Sequence, residues 1–281
     1  MKRIFLIILT VFILSGSVFA SDSGIIYVRA TGDDNNSGLS ETEPKKTLRS
    51  ALLLSVRARI NRIMVLGTLD YNSEGMGRDS IFRAGDIPGL NRDTEILITG
   101  KPGASNNERA VLSAKGSGRA VMTVINASVR LENIEISGGE TSSRSTSGIG
   151  IYVLEGASIT LGAGAVVCDN AYWGMLVTEN IKCVIDGGEV RNNQASGITI
   201  SYDGVVLLRN GVITENSASS TGGGVWVLDG GSLTMTGGTI TANNAVLGGG
   251  GVSVSRRGTF NQTGGTISRN NAPRFPDIWR Q

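Results

Sequence analysis

An asparagine recurs through the last two-fifths of the chain at nearly constant intervals, each time three residues after an aliphatic side chain. The intervals are 23, 23, 27 and 27 residues, and the asparagines are Asn170, Asn193, Asn216, Asn243 and Asn270. A period in the twenties is typical of a solenoid, in which one coil buries its apolar side only by stacking on its neighbours. The repeat therefore restricts the chain to an architecture of stacked coils.

Glycines repeat in register with the asparagines and mark short strands. Each is followed by three residues of which the first and third are apolar, and the column consists of Gly150, Gly174, Gly197, Gly224 and Gly251. Alternation with a period of two indicates strands and not helices. Since coils of 23 to 27 residues with two or three strands leave no room for a helix, the repeat predicts an all-β fold.

The asparagine column is predicted to be structural. Asparagine tolerates the left-handed backbone of a sharp turn and hydrogen-bonds to its own backbone. Identical amides stacked at the strand spacing of about 4.8 Å also hydrogen-bond to the amides above and below. The glycines are predicted to supply positive φ at the turns.

Three segments carry a resemblance to known repeats. Gly-Gly-Gly-Val-Trp-Val at 222–227, Gly-Gly-Thr-Ile-Thr-Ala-Asn at 237–243 and Gly-Gly-Thr-Ile-Ser-Arg-Asn at 264–270 resemble the right-handed parallel β-helix repeats of chlamydial polymorphic membrane proteins and spirochaete adhesin-like chains. Residues 26–48 resemble the strand, loop and capping helix that begin pectate-lyase-like β-helices. The resemblance implies a single-stranded right-handed parallel β-helix solenoid with an N-terminal capping helix. It implies a fold and not an activity, because this architecture carries lyases, hydrolases and adhesins alike.

The N-terminus has the pattern of a removable signal peptide. Lys2 and Arg3 precede an uncharged run at 4–14, and small residues suit cleavage after Ala20. We expect a signal peptide at 1–20, the strand, loop and capping helix at 21–62, and β-helix coils at 63–281. The mature chain has no second apolar run near the ~20 residues that a span requires. It is expected in the periplasm, on the outer surface or outside the cell.

The charge balance argues against nucleic acid as a partner. The full chain has 26 Lys and Arg against 24 Asp and Glu, and removal of Lys2 and Arg3 leaves 24 of each sign. No strongly basic footprint remains on the mature chain as a whole.

The two cysteines are predicted to face opposite sides of the solenoid. Cys183 aligns with the inward positions Val206 and Leu233, whereas Cys168 aligns with Arg191 and other outward positions. Opposite facing makes the close Cβ approach of a disulfide difficult. We expect one buried thiol and one surface thiol.

The sequence favours binding over catalysis. Its histidine count is 0, which removes the commonest general base and histidine-based metal sites. Two outward strand stripes, one through Tyr152 and Trp226 and one through Arg130 and Thr160, carry no Asp or Glu. The sequence therefore predicts no catalytic residues, no metal and no cofactor. The exception left open is the segment 70–93, predicted to leave the repeat, where Glu74, Asp79, Arg83 and Asp86 are close in sequence.

Aromatic residues are the candidate binding residues, because Tyr and Trp dominate binding hot spots. They are Tyr152, Tyr172, Trp173, Tyr202 and Trp226. Their spread over more than one side does not predict a single groove. By resemblance, we expect a secreted or surface-exposed, adhesin-like binding protein whose partner is a polysaccharide or a host or cell-surface protein. A polysaccharide lyase or glycoside hydrolase and a passive structural spacer are the alternatives.

Overall fold

The computed structural model describes residues 24–75, 80–85, 87–105, 108–142 and 147–281. The predicted signal peptide lies outside the described residues. The helices are α1 (Leu48–Ala58) and α2 (Tyr71–Glu74). The strands, in chain order, are β1 (Ile26–Val28), β2 (Arg62–Val65), β3 (Thr68–Leu69), β4 (Ser80–Ala84), β5 (Glu95–Thr99), β6 (Ala110–Ser113), β7 (Ala120–Ile125), β8 (Ser128–Glu132), β9 (Ile134–Ser137), β10 (Ile151–Leu154), β11 (Ser158–Leu161), β12 (Val166–Cys168), β13 (Met175–Val177), β14 (Lys182–Arg191), β15 (Ile198–Ile200), β16 (Val205–Thr214), β17 (Ser217–Ala218), β18 (Val225–Val227), β19 (Ser232–Met235), β20 (Thr239–Thr241), β21 (Asn244–Ala245), β22 (Val252–Val254), β23 (Thr259–Gln262), β24 (Thr266–Ser268) and β25 (Ile278–Arg280).

The strands stack into three parallel faces. The first face contains β1, β2, β5, β8, β11, β19 and β23, and the second contains β3, β6, β9, β12, β20 and β24. The long strands β14 and β16 run through both, with register shifts near Asp186 where they bend. The third face is an 8-stranded sheet of β4, β7, β10, β13, β15, β18, β22 and β25. Parallel crossovers take the right-handed path. The predicted all-β, right-handed parallel β-helix is confirmed.

The core is a narrow column of aliphatic ladders. On the third face, one inward row consists of Ile151, Met175, Ile198, Val225 and Val252, which are paired in register and fully buried. Fully burying such a side chain contributes about 1.5–3 kcal/mol. Because each coil supplies one layer of this column, every coil depends on the next for its buried surface.

Helix α1 closes the N-terminal end of the column, which confirms the predicted capping helix. Its buried residues Leu48, Ala51 and Leu52 face the core, and the helix contacts β1, β2 and β4. It begins at Leu48 because Thr47 is extended and its hydroxyl accepts a hydrogen bond from the backbone N–H of Ser50 at 3.0 Å.

The segment 70–93 does not leave the repeat throughout, contrary to the prediction. Ser80–Ala84 forms β4 and pairs in parallel with β7 on the third face. Glu74 ends α2, and its carboxylate accepts hydrogen bonds from the backbone N–H groups of Leu48 and Arg49 at the start of α1. Asp79 and Asp86 lie outside the described residues.

The asparagines form a continuous amide ladder at the corner between the second and third faces. Each Nδ2 donates to the Oδ1 of the next asparagine at 2.8–3.0 Å, from Asn170 through Asn270. Asp277 ends the ladder, because its Oδ1 accepts from Nδ2 of Asn270 at 2.9 Å and a carboxylate offers no further donor.

The physical reason predicted for asparagine is only half right. The left-handed residue is the one before each ladder position, with φ between 54° and 60°, and these residues are Asp169, Asn192, Glu215, Ala242 and Arg269. The asparagines are therefore used for their amides and not for their backbone tolerance. The glycine column is likewise needed for space. A Cβ on Gly174 would lie 2.6 Å from both Nδ2 of Asn193 and the carbonyl oxygen of Gly197.

Candidate functional site

An open groove of about 770 Å³ lies on the outside of the third face. One side is formed by the outward row of the third-face strands, and the other by the turns that lead from these strands to the first face. Tyr152, Trp173 and Tyr202 line it. We call this feature the aromatic groove.

The turns along the groove are stacked because they have equal length. The third-face strands end in register, with Val177 opposite Ile200 and Val227 opposite Val254. The next first-face strands also start in register, at Lys182, Val205, Ser232 and Thr259. Each connection therefore has four residues, and equivalent positions stack about 4.8 Å apart. One row of turn residues results, made of Glu155, Glu179, Tyr202, Asp229 and Arg256.

Three of the five predicted binding aromatics meet in the groove. Trp173 packs against the cluster of Ala120, Ile149 and Leu176. Tyr202 projects from a turn, is 74% exposed and has φ of +45°, an unusual backbone angle for an aromatic residue. The sequence did not predict a single groove, and the structure places these three aromatics at one cavity.

The other two aromatics lie beside the groove. Tyr172 stacks on Trp173, with ring centroids 4.2 Å apart and an interplanar angle of 34°. Trp226 lies in the same outward row as Thr199 and Ser253, next to the residues that line the groove. These two side chains support the wall and the floor and do not line the cavity.

Buried hydroxyl groups form the floor of the groove. Thr178 and Thr199 line it, are 5% and 0% exposed, and their Oγ1 atoms have no hydrogen-bond partner in the described part of the chain. In the row of Thr199, Trp226 Nε1 and Ser253 Oγ are also buried and have no hydrogen-bond partner in the described part of the chain. Buried polar atoms are normally hydrogen-bonded, so each unpaired one requires an explanation.

Four charged residues line the groove and were not among the binding residues predicted from the sequence. They are Glu179, Asp229, Arg256 and Arg257. The backbone N–H of Arg257 donates to Oδ1 of Asp229 at 3.3 Å. The stripes read from the sequence followed the strands, whereas these residues lie in the turns. Aligning the four-residue connections would have found them.

The second face carries carboxylates that the sequence analysis also did not consider. Glu135 and Glu189 both pair in register with Val166. Each lies beside an arginine, with Arg109 to Glu135 at 3.4 Å and Arg191 to Glu189 at 3.5 Å. These carboxylates are neutralised by their partners, as in a structural ion-pair array.

Cys168 does not expose a surface thiol, contrary to the prediction. It pairs with Ser137 and Arg191 on the outward side of the second face, as its register requires, yet it is 0% exposed. The pKa of its thiol is raised mainly by burial, and further by a hydrogen bond with Asp169 and by the charge of Glu135. Register determines which way a side chain points, but the long side chains around it determine whether solvent reaches it.

Cys183 is buried as predicted, and burial raises the pKa of its thiol to about 12. Both cysteines are free. Since the thiolate is the reactive form, we expect neither thiol of the folded protein to react with iodoacetamide within the time that a small free thiol is fully alkylated. Both should react in denaturant. Mass spectrometry of the alkylated protein measures this, and rapid native labelling of Cys168 would contradict its burial.

The described residues contain no group of three or more His, Cys, Asp or Glu side chains arranged to hold a metal ion. None of the helices in this part of the chain is both long and apolar enough to cross a membrane.

Comparisons with known proteins bear on the fold only weakly. No protein-family model matches the chain, and no curated protein matches it. Among solved structures, the chain is similar to an alginate lyase from Paenibacillus sp. str. FPU-7, with 15% sequence identity and a TM-score of 0.32. The match covers 83% of this chain and 97% of the lyase. At this level the likeness carries no argument about activity.

Proposed function

We propose that this β-helix is an exported carbohydrate-binding protein that holds a glycan in the aromatic groove. The observation that carries the proposal is the convergence of Tyr152, Trp173 and Tyr202, from three different coils, on one cavity of about 770 Å³. Aromatic faces offer large, rigid contact areas with polar edges. Sugar rings present C–H faces and hydroxyl edges, so they fit both the aromatic walls and the hydroxyls of the floor.

The floor supports this proposal independently of the walls. The hydroxyls of Thr178 and Thr199 are unpaired within the described residues and buried at the cavity. A sugar hydroxyl that reaches either Oγ1 atom would supply the missing partner, and an apolar ligand would not.

The length of the groove favours an extended ligand. Its lining includes residues from the turn row of successive coils, from Glu179 through Tyr202 and Asp229 to Arg256. At about 4.8 Å per coil, several units of a linear glycan would lie along the solenoid axis. Export rests on the signal-peptide pattern of residues 1–20 and belongs to the same proposal.

Retention on polysaccharides tests the proposal. The protein would be incubated with neutral, acidic and amino polysaccharides, and each mixture would be scored for bound protein and for released oligosaccharide. We expect retention without release on at least one polymer. We also expect Tyr202→Ala to weaken that retention about tenfold, because an aromatic anchor contributes on the order of 1–2 kcal/mol.

Phe275→Ala is the matched control. Phe275 is 60% exposed, also has a positive φ of 46°, and lies outside the groove. It should retain wild-type binding. Equal loss in both variants, or retention on no polymer, would overturn the proposal. Release of oligosaccharide would show cleavage instead of binding, and Glu179, Asp229, Arg256 and Arg257 are the charged side chains in the groove that could take part.

A further inference from the structure

The charged residues of the stacked turns are segregated by coil, and four of them, Glu179, Asp229, Arg256 and Arg257, line the aromatic groove. In the stacked turns, carboxylates occupy four consecutive coils and arginines occupy the fifth. The carboxylates are Glu155, Glu179, Asp203 and Asp229, all exposed, and the arginines are Arg256 and Arg257, also exposed. The uniform four-residue connections place these side chains on one edge of the solenoid.

These charges are available to a ligand. Ion pairs among the described residues occur elsewhere on the solenoid, and none includes the four charged residues that line the groove. Oδ1 of Asp229 accepts one backbone hydrogen bond, from Arg257, and the residue is exposed on the turn. A cation at such a site is attracted by the charge of the unpaired carboxylate and also by the faces of the neighbouring aromatic rings.

A second feature of the same cavity points to a polar ligand. Thr178 precedes Glu179 in its turn, and Thr199 lies in the third-face strand of the next coil, which also carries Tyr202. Both are more than nine-tenths buried, and both have hydroxyls without a partner in the described residues. The groove therefore combines hydroxyls on the floor, aromatic faces on the wall and carboxylates on the rim. This combination matches a sugar that carries both hydroxyl and ammonium groups.

We propose that the groove selects an amino-sugar polymer, with protonated amines facing the acidic turns and sugar rings against the aromatic wall. This inference rests on the proposed carbohydrate binding and specifies its ligand class. Arg256 and Arg257 limit the amine-binding stretch to the coils before them, because an ammonium beside two guanidinium groups is repelled. A uronic-acid polymer would meet the carboxylates of Glu179 and Asp229 in the coils before Arg256 and is disfavoured there.

Three oligosaccharides of equal length test the inference by isothermal titration calorimetry. They are a chitosan oligomer below the pKa of its amine, its N-acetylated counterpart, and an oligomer of uronic acid. The first two share a backbone and differ in charge. We expect the amino form to bind about tenfold more tightly than the N-acetylated form, with the uronic acid weakest, and we expect added salt to reduce the amino form's advantage.

The double variant Glu179→Gln/Asp229→Asn should remove the difference between the amino and N-acetylated forms. The matched variant Arg256→Gln/Arg257→Gln removes two charges of the opposite sign from the adjacent coil and should preserve that difference or increase it. Both pairs lie on exposed turns, so folding should be retained, and circular dichroism would verify it.

The outcomes separate this inference from the function on which it rests. If the N-acetylated oligomer binds and Tyr202→Ala weakens it while the amino form has no advantage, carbohydrate binding stands and the inference is wrong. Tighter binding of the uronic acid, or an amino preference that survives in the acidic double variant, also overturns the inference. If none of the three oligosaccharides binds but another polysaccharide of the panel retains the protein, the inference is wrong and carbohydrate binding stands; if no polysaccharide binds, both proposals fail.

Discussion

Replacing Asn216 with alanine is expected to lower the free energy of unfolding by about 3–5 kcal/mol. The side chain is fully buried, and its Nδ2 donates to Oδ1 of Asn243 at 2.9 Å, to the carbonyl of Val190 at 3.0 Å and to the carbonyl of Thr214 at 2.9 Å. Its Oδ1 accepts from Asn193 Nδ2 at 2.8 Å. Truncation leaves several of these groups buried and unpaired, at about 1–3 kcal/mol each before relaxation.

Urea unfolding followed by circular dichroism measures the change. Asn210→Ala is the control, because Asn210 is an exposed residue whose Oδ1 accepts one hydrogen bond from the neighbouring Gly211 N–H at 2.9 Å. The control should change stability by about 0.5 kcal/mol or less. If Asn216→Ala cost no more than Asn210→Ala, the ladder would be a consequence of coil stacking and not one of its causes.

The stability of the N-terminal cap is expected to depend on pH through Glu74. Desolvation by burial raises the pKa of this carboxyl from 4.5 to about 7, against the opposing hydrogen bonds from Leu48 and Arg49. The negative charge of Asp34 raises the pKa of Glu74 further, and the positive charge of Arg49 lowers it. Since the folded-state pKa is above the unfolded value, the folded protein binds this proton more tightly. The resulting stabilisation is fully present below pH 4.5 and is lost as pH rises through about 7.

Comparing the wild type with Glu74→Gln isolates this effect. Glutamine keeps an oxygen acceptor for the start of α1 and does not titrate. From pH 4.5 to beyond 7, the wild type should lose about 3 kcal/mol of unfolding free energy relative to the variant. Glu95→Gln, which removes an exposed carboxylate at the start of β5, controls for the change in net charge. A difference that stays constant across this pH interval would refute the assignment.

The sequence predicted the repeat and its register well, because both are periodic. The asparagine and glycine columns identified which residues share a row, and the strand pairings follow those rows from Ile151 to Val254. The inward position of Cys183 followed from the same alignment. A solenoid is unusually open to this reasoning, since each coil contacts only its neighbours and the spacing along the chain gives the spacing in space.

The candidate site was predicted only in part. Tyr152, Trp173 and Tyr202 were selected as aromatics, but the sequence did not show that they share a cavity. Glu179 and Asp229 were not selected as binding residues, because the outward positions compared in the sequence were those of the strands and not those of the turns. The segment 70–93 was misread because β4 precedes the regular part of the repeat, where no glycine or asparagine column identifies it.

The sequence alone determined the coil, its short strands, the row to which each repeat residue belongs and the amide column at one corner. These follow from periodicity, which is a property of the chain. The tertiary structure alone decided that the residue before each asparagine takes the left-handed turn, that Cys168 is buried while pointing outward, and that turns of equal length gather aromatic and charged side chains into a groove. The physical reason is that exposure and cavities depend on how far neighbouring side chains extend over one another, which register does not encode.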